Sequence, residues 1–268
     1  MNAAVVNKLN KQKGNKKTMI RTSKKILLTN LILGCLTTIA AAQDTTFTLL
    51  DPTTGLTAYQ LENKDATSEE GYLLNGKKEG LVRTFFANGV LQTATEYHED
   101  IPNGWYLECE KNGVVLKEEH YKMGVIDGEV RTYTTKQGVR IVQAIYHYRD
   151  GKLHGTCADY SDMGKMSALA TYSYGIKEGP SRWYYTNGKP AMEQHYVNGE
   201  LYGTTTSWGP DGKVTQYGNY KHNQKDGEWK EYYTGGQIKS EGSYVADEKT
   251  GTWKYYDEEG NLSNSETY

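Results

Sequence analysis

GEWKEYYTGG, residues 227–236, sets a tryptophan, two adjacent tyrosines and a closing pair of glycines within ten residues. Nearly the same order returns in GTWKYYDEEG (251–260) and GPSRWYYTNG (179–188). A stretch that recurs defines a structural period before it defines a site. With Gly227 as phase marker, equivalent glycines stand at Gly80, Gly104, Gly128, Gly155, Gly179, Gly203 and Gly251, spaced by 24 residues except for the 27 between Gly128 and Gly155. A second glycine follows nine residues later in seven units, and ten later, at Gly138, in the long one. Seventeen residues after the marker comes a tyrosine: Tyr97, Tyr121, Tyr172, Tyr196, Tyr220, Tyr244 and Tyr268, with Tyr148 taking this part in the long unit. Eight units fill residues 80–268, and a fixed period of this length marks a repeat architecture.

Twenty-four residues suit two short strands and two turns. The residues after each marker are rich in Trp, Tyr, Val and Thr. Turn formers follow, as in Asn88-Gly89, Asn187-Gly188 and Asp211-Gly212, and then a second run leads to the tyrosine. Asn-Gly and Asp-Gly favour the positive φ that hairpin turns demand. Three residues beyond the tyrosine stand Asp100, Gly124, Gly151, Gly175, Gly199, Asn223 and Asp247, all types that tolerate a left-handed backbone. The prediction is an all-β fold, an elongated antiparallel β-sheet of about eight stacked 24-residue hairpins. Sixteen strands at about 4.8 Å spacing would extend roughly 75 Å. The three extra residues before Tyr148 are expected to form a longer turn and a bulge. No segment after the N-terminal region has a helical period.

Residues 1–42 read as a secretory signal peptide. Arg21 and Lys24-Lys25 precede the apolar run Ile26–Ala40, and Ala40-Ala41-Ala42 is a small-residue cleavage site. Met19 is the more natural start, and Ile32-Leu33-Gly34-Cys35 has the outline of a lipoprotein box, which leaves lipidation at Cys35 open beside cleavage. The protein is therefore expected to be exported, periplasmic or extracellular. Residues 43–79, with Phe47-Thr48-Leu49-Leu50, are expected to cap the first edge of the sheet as a terminal segment or a degenerate repeat. The C-terminal edge is left bare, so edge-to-edge self-association is open.

Composition narrows the function classes. Residues 1–42 hold eight of the 31 Lys and Arg and none of the 33 Asp and Glu, so the remainder carries a formal charge of −10. That balance argues against nucleic acid or an anionic membrane surface as partner, since both select Lys/Arg-rich faces. The 23 tyrosines against 3 phenylalanines suit a sheet with little interior, where a ring covers its neighbours and the hydroxyl stays wet.

The order G-x-W-x-x-Y-Y-x-x-G, followed by a tyrosine and N-G-x-x-x-G, resembles the MORN repeat, and most closely its bacterial tandem variant found in proteins often labelled antitoxins of toxin–antitoxin systems. The resemblance covers residues 76–268 and is best in GEWKEYYTGG, GTWKYYDEEG and SRWYYTNGK. The units at Gly128, Gly155 and Gly203 are degenerate, with Val130, Cys157 and Thr205 in place of the first tryptophan. It implies stacked hairpins, a binding or scaffolding role and no catalytic residues. WYYTNGK is also similar to the aromatic repeats of cell-wall and choline-binding modules, though their period is shorter.

No nucleophile motif, paired carboxylates or convergent metal ligands emerge, so no enzyme activity, metal or cofactor is expected. Glu118-Glu119 and Glu258-Glu259 are adjacent in a strand context and point to opposite faces. Cys109 and Cys157 lie two units apart, near 20 Å, beyond disulfide reach, and read as buried thiols. The six histidines read as solvated turn residues. The candidate binding surface is a row of aromatics in the last four units: Trp183, Tyr185, Trp208, Trp229, Tyr233, Trp253 and Tyr255. In each Tyr-Tyr pair one ring should be the more exposed. The leading expectation is a protein partner. Glycan binding through the aromatics, or an antitoxin-like neutralising role, are the alternatives.

Overall fold

The computed structural model describes residues 44–63 and 66–268. Every regular element there is a strand, and 23 segments form one antiparallel sheet. Lys77–Lys78, Val125–Ile126, Lys152–Leu153 and Gln224–Lys225 are two-residue pieces that resume after a single residue, so the sheet has nineteen rungs. Each rung pairs with those next to it in sequence. Sixteen belong to the repeats. The first three, β1 (Asp44–Asp51), β2 (Leu56–Asn63) and β3 (Ala66–Leu74), precede them in the same ladder. Nineteen rungs at about 4.8 Å span roughly 90 Å. The segment before repeat 1 thus lengthens the sheet, and among the described residues β1 is its edge. The signal-peptide and Cys35 expectations lie outside the described residues.

The register explains the period. Each marker glycine stands opposite its repeat's tyrosine, 17 residues on in Gly80 with Tyr97 and Gly227 with Tyr244, and 20 on in the long repeat, Gly128 with Tyr148. The marker takes a positive φ, 121° at Gly104 and 91° at Gly227, where the strand resumes after a one-residue irregularity. At Gly104 a Cβ would also collide with the Glu96 carboxylate. Glycine is therefore required at this point of the repeat.

The two turns of a repeat differ. In the first, Gly89 N–H donates to Phe86 C=O at 2.8 Å and Phe86 N–H to Val90 C=O at 2.8 Å, and only the glycine is left-handed, at 77°. In the second, two successive residues are left-handed, for example Glu99 and Asp100 (50° and 69°) or Asn198 and Gly199 (51° and 84°). That is the two-residue hairpin turn whose twist matches its strands. The long repeat departs from expectation. Its strands, Gly128–Lys136 and Val139–Arg149, are longer, while the turn between them shrinks to Gln137-Gly138, both left-handed (52° and 78°). The extra residues pair in the ladder instead of looping out, because backbone groups in a strand are satisfied. The register slips between Thr132 and Tyr133, but it does so at the same point of the other repeats, as between Thr84 and Phe85 or Glu231 and Tyr232, so this bulge does not absorb the extra residues.

One column on one face forms the most buried line of the sheet. Val82, Val130, Cys157, Ser181, Thr205, Trp229 and Trp253 stand two residues after their markers, and Thr95 and Glu119 fifteen after theirs; all are buried. Cross-strand pairing puts these two positions side by side, as in Val82 with Thr95 and Trp229 with Gly242. Cys109 and Cys157 are both buried, free thiols, and burial pushes each thiol pKa up.

Candidate functional site

The structure separates the seven candidate aromatics. Trp229 and Trp253 are 2% and 4% exposed and belong to the packed column, which corrects their assignment to a binding surface. Each indole lies across a glycine of the preceding strand, Gly218 under Trp229 and Gly242 under Trp253, where a Cβ would fall inside the ring. Each Nε1–H donates to a main-chain carbonyl at 3.0 Å, Asn219 for Trp229 and Ser243 for Trp253. Edge-on contacts with Tyr220 and Tyr244 close the cluster at centroid distances of 5.3, 5.9 and 5.0 Å. An indole with a buried ring, a satisfied N–H and aromatic neighbours is packing.

Trp183 is not the equivalent of these two. Ser181 holds their position, and Trp183 stands two residues further on, half-buried, where repeat 8 has Tyr255. Tyr185 and Tyr233 close the seam to the next repeat: their hydroxyls donate to Trp208 C=O at 2.7 Å and Tyr256 C=O at 2.8 Å. Both rings of each Tyr-Tyr pair are half-buried: Tyr184 and Tyr185, Tyr232 and Tyr233, and Tyr255 and Tyr256. The sheet packs side chains on both faces, so a ring turned away from one column lands in another. Tyr256, for instance, donates to Glu241 at 2.9 Å, while Tyr255 lies beneath Lys249. Trp208, Trp183 and Tyr255 remain partly accessible, but not as one row.

The sequence reading missed the lysine two residues before four of the markers. Lys225 Nζ lies 4.4 Å from the centroid of Trp229 and 4.9 Å from that of Tyr244. Lys249 sits 4.5 Å from Trp253 and 5.1 Å from Tyr268, Lys177 4.8 Å from Tyr196, and Lys78 5.3 Å from Tyr97. A cation over a ring contributes about 0.5–1 kcal/mol at partly exposed sites. These ammonium groups roof the tyrosine column. The signal was present in the spacing, since lysine recurs at this position in four repeats while Pro102, Ile126, Leu153 and Leu201 replace it elsewhere.

The opposite face is polar and cross-linked by ion pairs, among them Arg83 with Glu70 at 2.6 Å and Lys230 with Glu241 at 3.3 Å. His120, His147 and His195 lie on strands of this face and not in turns as expected. His120 stacks edge-on against Trp105 at 4.6 Å, and a ring nitrogen of His147 lies 2.7 Å from Thr156 C=O. Among the described residues no three His, Cys, Asp or Glu side chains converge as metal ligands.

Exposed apolar side chains gather on the margin formed by the second turns. Ile101, Met123 and Val125 line it in repeats 1 and 2 and Tyr174, Ile176 and Val197 in repeats 4 and 5, Met123 at 58% exposure and Ile176 at 49%, with the polar turn Arg149-Asp150-Gly151-Lys152 of repeat 3 between them. The row is stitched together by contact with the turn glycines: a Cβ on Gly124 would lie 3.3 Å from Ile101 Cγ2, and one on Gly199 the same distance from Ile176 Cγ2. From repeat 6 on, the margin is mainly polar, with His222, Asn223, Gln224, Asp247 and Glu248, and Val245 is its exposed apolar residue in repeat 7.

Residues 78–99, 177–198, 225–246 and 249–268 match the MORN repeat variant family, and every matched segment begins at one of the four roofing lysines. No curated protein matches the chain. Among solved structures, the crystal structure of TcdB2-TccC3 is 12% identical over 84% of this chain, with a TM-score of 0.20, and that of TcdB2-TccC3-Cdc42 is 12% identical over 80%, also at 0.20. The Photorhabdus luminescens Tc holotoxin pore is 13% identical over 80%, at 0.15. The alignments cover only 16% of each of those chains. Four of the repeats are therefore MORN repeat variants, and the repeats between them keep the same glycine–tyrosine register.

Proposed function

We propose that this is an exported, non-enzymatic binding module that docks a protein partner along the second-turn margin of its sheet. The observation that carries this reading is the apolar row from Ile101 to Val197. Isolated exposed apolar residues are ordinary on a protein surface, but apolar residues recurring along one margin of a ladder, here in two groups on either side of repeat 3, are the form an interaction site takes. Repeat sheets and solenoids bind through such extended surfaces because each unit adds one more contact in register. Export rests on the basic, apolar and small-residue pattern of residues 21–42.

The test is co-purification from the periplasm and medium with tagged full-length protein and with a Met123→Glu, Ile176→Glu variant. The expected result is a protein recovered with the parent and lost with the variant, while both give the same circular dichroism. Equal recovery by the two would sink the margin as the site. Turnover of a substrate by the purified protein would sink the non-enzymatic reading.

A further inference from the structure

We infer that the protein pairs with a second copy of itself through β1, antiparallel and about a twofold axis perpendicular to the sheet. Among the described residues β1 pairs only with β2, and one of its sides is open. Natural edge strands are blunted by charge, proline or bulges. β1 reads DTTFTLLD: its charges and a register irregularity at Leu49–Asp51 are confined to its ends, and Phe47, Leu49 and Leu50 are exposed by 57%, 58% and 50%. The opposite edge, Leu262–Thr267, reads LSNSET and is polar beyond its first residue. The register puts Phe47 opposite Tyr59 and Leu49 opposite Thr57, and Tyr59 opposite Gly71. A Cβ on Gly71 would lie 2.8 Å from Val82, so Phe47 and Leu49 share the face of the buried column. That face ends unfinished at β1.

Strand parity selects the partner. In an antiparallel ladder of nineteen rungs the first and last run in the same direction. Joining β1 of one copy to the last strand of another would therefore give a parallel pair, or else turn the packed face over. Only like edges meet antiparallel with the faces matched, about a twofold axis, which is the commonest symmetry of homo-oligomers. Of the two like-edge pairings, β1 with β1 covers the longer apolar run, since the far strand carries only Leu262 at its start and Tyr268 just beyond its end.

Opposed residues in an antiparallel pair share a face, which restricts the register. With Thr48 on the axis, Phe47 stands opposite the partner's Leu49 and Leu49 opposite the partner's Phe47. Asp44 then faces the partner's Pro52 and Asp51 the partner's Thr45, so no carboxylate faces another.

Sedimentation of the full-length protein should give the mass of two chains. Phe47→Lys with Leu49→Lys should give one chain with unchanged circular dichroism, and Ser265→Lys on the far edge should leave two. In a Cys35→Ser background, oxidised Thr48→Cys should form a covalent dimer and Thr46→Cys should not. Copies of residue 46 would lie about 13 Å apart along the strands, beyond disulfide reach. A single-chain mass for the parent, as residues 1–43 covering β1 in cis would produce, overturns the inference. So does a dimer that survives the lysine pair, or a cross-link at residue 46 without one at 48.

Discussion

Gly242 has no side chain because the Trp253 indole occupies the place of one. Gly218 and Trp229 repeat the arrangement one unit earlier, so tryptophan two residues after a marker requires glycine on the neighbouring strand. Gly242→Ala drives a methyl into a ring that is 4% exposed, and overpacking of this kind costs about 1–3 kcal/mol. The expected outcome is a lower melting temperature with a red-shifted tryptophan emission, against no change for Glu258→Ala, an exposed turn residue outside the left-handed region. The tyrosines beside this column make the second residue-scale prediction. Burial first, and then the Glu108 and Glu119 carboxylates, push the pKa of Tyr106 and Tyr121 up to about 12. An unfolded tyrosine ionises near 10, so above that pH the unfolded chain releases protons that the folded chain keeps. Stability is full below pH 10 and drains between 10 and 12. Tyrosinate absorbance at 295 nm should rise together with loss of the β-sheet circular dichroism in that window. Independent titration near pH 10 with the sheet intact would contradict it. What was legible here was the glycine–tyrosine period. The burial of Trp229 and Trp253 was not, because it depends on what the adjacent strand carries, and that pairing is 10 or more residues away in sequence. The column occupied by Trp229 and Trp253 in the last two repeats holds only Ser181 and Thr205 in the two before them.

At the scale of the hairpin, the second turn does more than reverse the chain. Asp247 accepts the Lys225 N–H at 2.7 Å through its carboxylate and donates its own N–H to Lys225 C=O at 3.0 Å, tying its turn to the previous one. Asp100 and Lys78 repeat this at 2.7 and 3.0 Å, and Asn223 does the same with Leu201. Where the position is glycine, as in Gly124, only the main-chain bond to Pro102 C=O at 2.8 Å remains. The residue must also be left-handed, with φ 69° at Asp247. Asp247→Gly therefore loses one hydrogen bond, about 1 kcal/mol. Asp247→Ala loses the same bond and adds left-handed strain of about 1 kcal/mol. The expected order of melting temperatures is parent, then glycine, then alanine, and an alanine variant above the glycine variant would remove the turn from the account. The sequence displayed this position as a set of left-handed-tolerant residues. It concealed the bond to the preceding turn, and it also concealed that the long repeat closes on Gln137-Gly138 by lengthening its strands, because the surplus of three residues has the same count whether it loops out or pairs.

For the whole molecule, a one-dimensional ladder predicts that removal of a single 24-residue unit leaves a foldable protein, since each hairpin touches only its neighbours. The packed column makes that tolerance depend on which unit is removed. Deleting residues 227–250 joins Asp226 to Gly251 and sets Trp253 against Gly218, which accommodates an indole in the parent beneath Trp229. Lys225 is kept in the place of Lys249, two residues before the marker, and roofs the transplanted ring. Deleting residues 203–226 removes the same number of residues and preserves the same marker phase, but it sets Trp229 against Gln194, whose side chain occupies the space that glycine leaves open. The first deletion should melt cooperatively with buried tryptophan emission. The second should melt lower by the equivalent of about 1–3 kcal/mol of overpacking, with its emission shifted to the red. Thermal denaturation followed by tryptophan fluorescence and circular dichroism compares the two directly. Equal melting temperatures would mean that the column does not set which repeats can stand side by side, and that the hairpin register alone governs the order of units in this chain.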